Sequence, residues 1–376
     1  MLRSIRWIFL GFLALGLLGS LMFSACSREP EAPFTITEIF QETAKNVVIP
    51  CFAQLADASK KLEEVTGALC KGPSAPTLEA AQKAWREVKS GRKRCEIYRF
   101  GPAKKLDIKG YIDWWPTKTS LVDKEVEGTA KLDAAYIDQL GASRRGLPAM
   151  EYLLFSAPEG KKLLTLLGEG AKEPPRRCLY VKALAEGIYR RTKLIHNTWK
   201  GVPVVEQIKQ FSDASQDAAL DANFQAVNHS INVLIEQLAI AMDRRLGKPL
   251  GKPSSTTPKP DMLESLYAGY SKEALLHNLQ GVRTFYLGNK DKGATKSISA
   301  LVRFRKASLD DKFQKELDAA IQAVKAIQGS LKEALAKNKA QVEKAYQAVR
   351  EARVTATVEL VALLGVTLTF SDNDGD

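Results

Sequence analysis

Apolar residues recur at helical spacing along most of this chain. An early run repeats at intervals of three, seven, three and four residues: Phe52, Leu55, Leu62, Val65 and Leu69. A later run repeats at four, three, four, three and four: Leu220, Phe224, Val227, Ile231, Leu234 and Leu238. Such spacing places apolar side chains on one face of a helix that packs against other helices. Since no stretch alternates as a β-strand does, the sequence predicts an all-α fold.

The predicted helices fall into two sets of four. We expect the first set over 50–70, from Thr77, from Pro148 and after Pro174-Pro175, and the second over 220–238, within 262–287, over 310–336 and over 339–365. Tyr98-Arg99-Phe100-Gly101 and Phe285-Tyr286-Leu287-Gly288 each close the second helix of their set, which favours an internal duplication. We therefore predict two lobes of four principal helices each. The lobes are 36–205 and 206–376, with the loop 247–260 as the alternative boundary.

The N-terminus has the pattern of a bacterial lipoprotein signal. Arg3 and Arg6 precede an apolar run, which ends at the small residues Ser24 and Ala25 before Cys26. We predict that residues 1–25 are removed and that Cys26 is acylated. The alternatives are an ordinary signal peptide or an uncleaved membrane anchor.

The segment that follows Cys26 predicts where the lipoprotein resides. Ser27 fits the pattern for sorting to the outer membrane, where Asp would favour retention at the inner membrane. Residues 26–35 contain Pro and Glu and are expected to form a short tether. We expect a protein in the cell envelope, anchored in the membrane through lipidated Cys26 and facing the periplasm.

The chain is basic, with a formal net charge of +12. This location excludes nucleic acid as a partner, although the charge alone would permit it. The basic residues are dispersed apart from small clusters such as Arg92-Lys93-Arg94, Lys104-Lys105 and Arg176-Arg177. We expect these clusters to lie on solvated helix faces, with an anionic surface partner as the alternative.

Four cysteines remain when Cys26 is taken by lipid, which suggests two disulfides in an oxidising compartment. If 50–70 is one helix, Cys51 and Cys70 lie about 28 Å apart at ~1.5 Å per residue, too far to bond. In an antiparallel hairpin that turns near residue 73, Cys51 and Cys95 stand at the same level. The sequence therefore predicts Cys51–Cys95 and, by elimination, Cys70–Cys178.

The segment Gly146-Leu147-Pro148-Ala149-Met150-Glu151 begins a helix and carries a carboxylate one turn in. It resembles the Gly-x-His-x-x-Glu motif of the imelysin-like family of bacterial envelope proteins, with Pro148 at the His position. Other blocks match the family in order: Arg99-Phe100-Gly101-Pro102, Asp113-Trp114-Trp115-Pro116, Arg244-Arg245-Leu246-Gly247, Glu264-Ser265 and Leu364-Gly365-Val366. The resemblance covers nearly the whole mature chain.

The resemblance implies a pair of four-helix bundles with a site in the cleft between them. It also implies links to peptidase activity, to iron uptake or to the binding of metals and polysaccharides. A His and a Glu three residues apart could share a metal ion, but a Pro offers no lone pair. Neighbouring residues on a helix point about 100° apart, so we expect one of Trp114 and Trp115 in the core and the other on the cleft wall. The alternative is that both side chains fill the end of the bundle.

The chain lacks the residue patterns that are typical of hydrolytic enzymes. A zinc peptidase needs about three protein ligands and a general base. The chain has only His196, His229 and His277, and none forms a His-Glu-x-x-His arrangement. Nor is there a Gly-x-Ser-x-Gly elbow for a serine hydrolase. We therefore predict no catalytic residue and no metal ligand, and the sequence identifies no cofactor.

The function we predict is a non-catalytic binding protein associated with iron or metal uptake. Its ligand would be a metal chelate or another anion, and its partners would be envelope uptake proteins. The predicted cleft residues are Arg99, Asp113, Trp114, Trp115, Gly146, Pro148, Glu151, Glu264 and Ser265. The alternatives are a metallopeptidase of the imelysin type that uses Glu151, and a scaffold with a vestigial cleft. We expect Asp372-Asn373-Asp374-Gly375-Asp376 to form an exposed acidic tail.

Overall fold

A computed structural model describes residues 32–212, 221–255, 257–289 and 295–369. The predicted signal peptide, Cys26 and the acidic tail lie outside these residues. The described residues from Ile36 onward form one compact unit. Within the described ranges, no helix combines the length and apolar character needed to cross a membrane.

The described residues form helices and no strand, which confirms the all-α prediction. The helices of the first half are α1 (Ile36–Thr43), α2 (Ile49–Lys71), α3 (Ala75–Arg94), α4 (Gly101–Lys105), α5 (Ile108–Ile112), α6 (Thr119–Glu127), α7 (Ala134–Gln139), α8 (Gly146–Phe155), α9 (Leu163–Leu166) and α10 (Arg176–Gly201). Those of the second half are α11 (Ala222–Ala239), α12 (Lys248–Leu250), α13 (Ser271–Leu287), α14 (Ile298–Arg305), α15 (Ala307–Lys325), α16 (Leu331–Lys337), α17 (Lys339–Thr355) and α18 (Val361–Leu364).

Shorter helical turns complete these elements. Three π-helical stretches extend longer helices, at Ala44–Val48, Ile240–Gly247 and Ala356–Leu360. Single 3-10 turns lie at Ala142–Arg144, Val204–Glu206, Ile208–Phe211 and Pro260–Met262.

Helices α2, α3, α8 and α10 pack around the core of the first half. Helix α2 lies against both α3 and α10, and α8 contacts α3 and α10. The disulfides Cys51–Cys95 and Cys70–Cys178 close this arrangement with Cα–Cα distances of 5.9 and 5.6 Å. Both predicted pairings are confirmed, since α2 is the single long helix on which the prediction depended.

Helices α11, α13, α15 and α17 pack around the core of the second half. The two halves meet where α3 lies against α13. A Cβ atom at Gly281 would come within 2.2 Å of the carbonyl oxygen of Arg94, so only glycine lets the two helices approach this closely. Because the halves form one compact unit, the division into lobes at residues 205 and 206 stays a prediction.

One predicted helix, 310–336, is wrong in its extent. Helix α15 ends at Lys325 and α16 begins at Leu331. Gly329 adopts a φ of +66°, in the left-handed region that interrupts a helix. Ser330 then caps α16, since its backbone N–H donates to Glu333 Oε2 at 2.8 Å and its hydroxyl accepts from the Glu333 N–H.

The contact between α3 and α13 can be tested at Gly281. Gly281→Ala would force the helices apart, so we expect the free energy of unfolding in urea to fall by about 2–3 kcal/mol. The control is Gly67→Ala within α2, where nothing lies within 4 Å of an added Cβ. That variant should be unchanged or more stable by up to about 1 kcal/mol. Equal effects in the two variants would contradict the close approach.

Candidate functional site

Helix α3 and the turn that follows it present four polar residues along one face toward the second half. Lys89, Arg92, Lys93 and Glu96 follow one another at steps of three, one and three, and each is at most 8% exposed. The prediction that Arg92 and Lys93 lie on a solvated helix face is wrong, because both are buried. Burial of such groups is tolerated only when opposite charges or hydrogen bonds compensate for the lost water.

The two lysines of this face are neutralised by carboxylates from other segments. Lys89 Nζ donates to Asp113 Oδ1 at 2.6 Å and to Glu264 Oε1 at 2.8 Å. Lys93 Nζ lies 2.9 Å from Asp113 Oδ2 and also contacts Glu264. Asp113 follows α5 and Glu264 precedes α13, so these ion pairs join parts of the chain that are far apart in sequence.

Arg245 completes the network from the π-helical stretch that extends α11. Its Nη2 atom lies 2.6 Å from Glu96 Oε2, and its Nε atom lies 2.9 Å from Glu264 Oε2. The Asn278 side chain of α13 donates to Glu96 at 3.1 Å. We call the three basic residues Lys89, Lys93 and Arg245 and the three acidic residues Glu96, Asp113 and Glu264 the charge network.

The pKa values in the charge network reflect its pairing. Burial alone would raise the pKa of Glu264, but Lys89, Lys93 and Arg245 hold it well below its usual range. The pKa of Asp113 is likewise lowered, because Lys89 and Lys93 outweigh burial. Burial would lower the pKa of Lys89, yet Asp113 and Glu264 raise it. All these groups are therefore ionised near neutral pH.

Beside the charge network lies a cavity of about 50 Å³, which we call the arginine pocket. Five basic and three acidic residues line it together with Trp115 and Ile240: Lys93, Arg99, Lys109, Arg244, Arg245, Glu96, Asp113 and Glu264. Arg245 Nη1 is buried and has no hydrogen-bond partner among the described residues. The pKa of Lys109 is lowered by burial and then by the nearby charges of Arg99 and Arg244. The pocket therefore has a positive potential and an unused donor.

A second cavity of about 130 Å³ surrounds the carboxyl group of the family motif, and we call it the glutamate pocket. It is lined by Trp115, Pro116, Thr117, Pro148, Glu151, Asp261, Leu263, Ser265, Leu266 and Tyr267. Glu151 Oε1 accepts the backbone N–H of Ala268 at 3.0 Å. Burial is the main cause that raises the pKa of Glu151 to about 7. Glu151 thus differs from the carboxylates of the charge network, which have cations in direct contact.

Gly146 explains how the motif reaches the charge network. It adopts a φ of +74°, and a Cβ atom there would lie 2.5 Å from the carbonyl oxygen of Ile112. Only glycine fits both conditions, so α8 begins directly beside the segment that holds Asp113. Trp85 Nε1 of α3 also donates to the Leu147 carbonyl at 3.0 Å.

The structure brings most of the predicted cleft residues to these two pockets. Asp113 and Glu264 belong to the charge network, and Arg99 Nη2 lies 2.6 Å from Glu236 Oε1. Trp115 lines both pockets. Trp114 was expected either in the core or on the cleft wall; it is 41% exposed, and Lys109 Nζ lies 5.4 Å from its ring centre.

Sequence reasoning missed Lys89, Lys93 and Glu96. Their spacing along α3 was a usable signal, since a charged stripe on an otherwise apolar helix indicates partners on other elements. Arg177 was also expected in solvent but is buried, and its guanidinium donates to the carbonyls of Leu153 and Tyr152 at 3.1 Å. These carbonyls lie in the last turn of α8, where a cation is favoured.

The residues of the site do not fit a resident divalent metal ion. Pro148 supplies no lone pair, and Glu151 already accepts a backbone N–H. Asp113 and Glu264 are each neutralised by lysine. Across the part of the chain that the structure describes, no group of three His, Cys, Asp or Glu residues is placed to hold a metal.

Comparison with known proteins places this geometry among imelysin-like proteins. The family model described as imelysin matches residues 48–356. Two solved structures share the fold: an imelysin-like protein from Psychrobacter arcticum 273-4, and a protein of Parabacteroides distasonis ATCC 8503 named as a candidate iron-regulated protein A precursor. The match to the first structure has a TM-score of 0.69 at 18% identity. It covers 91% of this chain and 100% of the chain in that structure. The match to the second structure has a TM-score of 0.69 at 17% identity. It covers 89% of this chain and 96% of the chain in that structure.

A curated relative matches over a shorter stretch. Iron-regulated protein A of Synechococcus elongatus is 33% identical over 138 residues. The match covers 37% of this chain and 36% of that relative's length.

The raised pKa of Glu151 predicts a pH-dependent stability. The folded chain keeps a proton on this carboxyl that the unfolded chain releases above its ordinary pKa of 4.5. The resulting stability is therefore lost as pH rises from 4.5 through about 7. Glu151→Gln mimics the neutral form, so its free energy of unfolding relative to the native chain should rise by roughly 2–3 kcal/mol between about pH 5 and pH 8.

Urea unfolding of both chains at the two pH values measures this difference. Glu159→Gln, at an exposed position outside both pockets, is the control. Its free energy of unfolding should change with pH as that of the native chain does. If the free energies of unfolding of Glu151→Gln and the native chain differ by the same amount at both pH values, Glu151 is already ionised in the folded chain at the lower pH, which would contradict the prediction.

Proposed function

Since the chain belongs to the imelysin family, we propose that it is a non-catalytic, lipid-anchored binding protein of the bacterial cell envelope, with an anionic ligand in its arginine pocket. The observation that supports this most strongly is Arg245 Nη1, which is buried and finds no acceptor among the residues that the structure describes. An unpaired donor of a buried guanidinium is costly, and a carboxylate or phosphate oxygen would satisfy it.

The surrounding charges favour an anion over a cation. Basic residues outnumber acidic ones around the pocket, and the pKa of Lys109 is lowered by burial and further by the charges of Arg99 and Arg244. A negative ligand would relieve the repulsion between these positive charges. Trp115 offers a flat wall against which a planar group of the ligand would pack.

A role in iron acquisition is supported by the names of two similar proteins, which refer to iron-regulated protein A. Bare ferric ion would meet a basic lining here, whereas a chelate of iron with carboxylates presents an anionic surface. The proposed ligand is therefore an iron chelate, or the chelator itself. Its proposed partners are envelope proteins that deliver or receive it.

The proposed location follows from the N-terminal sequence. The basic and apolar segment before Cys26 supports acylation of that cysteine, and Ser27 supports sorting to the outer membrane. Two disulfides between described cysteines fit an oxidising compartment such as the periplasm.

The metallopeptidase alternative gains one favourable feature from the structure. A carboxyl whose pKa lies at about 7, as that of Glu151 does, suits a general base. However, the surrounding residues lack the ligand set for zinc, as described above. The binding protein is therefore the function that the geometry of the site supports best.

Lys109 tests the proposed anion site. We expect citrate and ferric citrate to bind the full-length protein in calorimetric titrations. Lys109→Met removes one positive charge at the pocket mouth and should weaken both affinities by about three- to tenfold. Lys105→Met, also an exposed lysine but outside the pocket, is the matched control and should bind as the native chain does. Equal affinity in all three proteins, or no binding of either anion, would contradict the proposal.

A further inference from the structure

The two pockets have opposite chemical character and share Trp115. The arginine pocket has an excess of basic residues. The glutamate pocket is lined by the carboxyl groups of Glu151 and Asp261, and none of its described lining residues is basic. A ligand that packs against Trp115 would thus meet positive charge on one side and negative charge on the other.

The glutamate pocket has an unused hydrogen-bonding group of its own. Ser265 is 1% exposed, and its hydroxyl oxygen finds no partner within the described chain. Its backbone φ of +57° is uncommon for a residue other than glycine, and it follows directly after Glu264 of the charge network. Ser265 is therefore held at the pocket by the same segment that supplies Glu264.

The remaining lining residues are those that recognise an ammonium group. Glu151 and Asp261 offer negatively charged acceptors, and the Ser265 hydroxyl offers a neutral one. Trp115 and the partly exposed ring of Tyr267 provide aromatic faces that attract an organic cation. Among the described residues, no group of three His, Cys, Asp or Glu side chains is placed to hold a metal ion. An ammonium group needs only three acceptors, so it suits this lining better.

We propose that one small zwitterionic ligand occupies both pockets, with its anionic group against Arg245 and Lys109 and its ammonium group against Glu151 and Ser265. Trp115 lies between the two ends and contacts the connecting carbons. The proposal rests on the proposed function, because it takes the arginine pocket as the anion site and adds the second end of the ligand. The modest volumes of the two cavities, about 50 and 130 Å³, suit a short ω-amino acid, whose carboxylate would use the same anion site as the carboxylates of a chelator.

Matched probes test this inference by calorimetric titration of the full-length protein at about pH 8. The zwitterions are 4-aminobutyrate and 6-aminohexanoate, and the controls are butyrate and hexanoate, which have the same chain without the ammonium group. We expect at least one zwitterion to bind about tenfold more tightly than its matched carboxylate. Glu151→Gln should remove this preference by weakening the binding of the zwitterion. Glu159→Gln, outside both pockets, should retain the preference.

The outcomes separate this inference from the proposed function. If carboxylates bind but neither zwitterion binds more tightly, the inference is wrong and the anion site stands. If the preference survives in Glu151→Gln, the ammonium group lies elsewhere and the inference is also wrong. If no carboxylate or zwitterion binds, while citrate also fails, both the anion site and the inference are contradicted.

Discussion

The burial of six ionised side chains between the two halves of the chain is the constraint on which the rest of the site depends. Transfer of any one of them out of water without a partner would cost several kcal/mol. Lys89 and Lys93 on α3 and Glu96 in the turn after it therefore each require opposite charges from segments far along the chain. This requirement fixes where Asp113, Arg245 and Glu264 lie, and the two pockets form around those positions.

The same interface gives its carboxyl groups two different electrostatic environments. Glu264 contacts three cations, which lower its pKa despite burial. Glu151 lies nearby, but it accepts a hydrogen bond from a backbone amide, and burial raises its pKa to about 7. Contact with a cation, rather than the extent of burial, determines whether each carboxyl group is ionised. A site with this division offers one region of fixed charge and one whose charge responds to pH and to a ligand.

Much of the fold could be predicted because it depends on local pattern. The apolar periodicity of α2 and its length sufficed to exclude a Cys51–Cys70 bond and to select both observed disulfides. The break at Gly329 was missed because the apolar spacing continues across it, and only the left-handed conformation of that glycine reveals the interruption. Family motifs located Glu151 and Asp113, although the motifs do not describe how either residue is paired.

The charge network was harder to predict, and the reason is physical. A lysine such as Lys93 has the same sequence signature whether it points into solvent or into the interface. Its burial depends on Glu264, which is 171 positions later in the sequence and is brought close only by the packing of α3 against α13. Pairings of this kind depend on tertiary structure, which neither periodicity nor composition encodes locally.

The affinity of Glu264→Gln for citrate tests most directly the claim that the charge network sets the potential of the arginine pocket. The substitution keeps the shape of the side chain but removes one negative charge that neutralises Lys89, Lys93 and Arg245. We predict that the free energy of unfolding, measured in urea, falls by about 3 kcal/mol or more. Citrate should bind this variant more tightly than it binds the native chain. Citrate binding that weakens in a folded Glu264→Gln protein would contradict this claim.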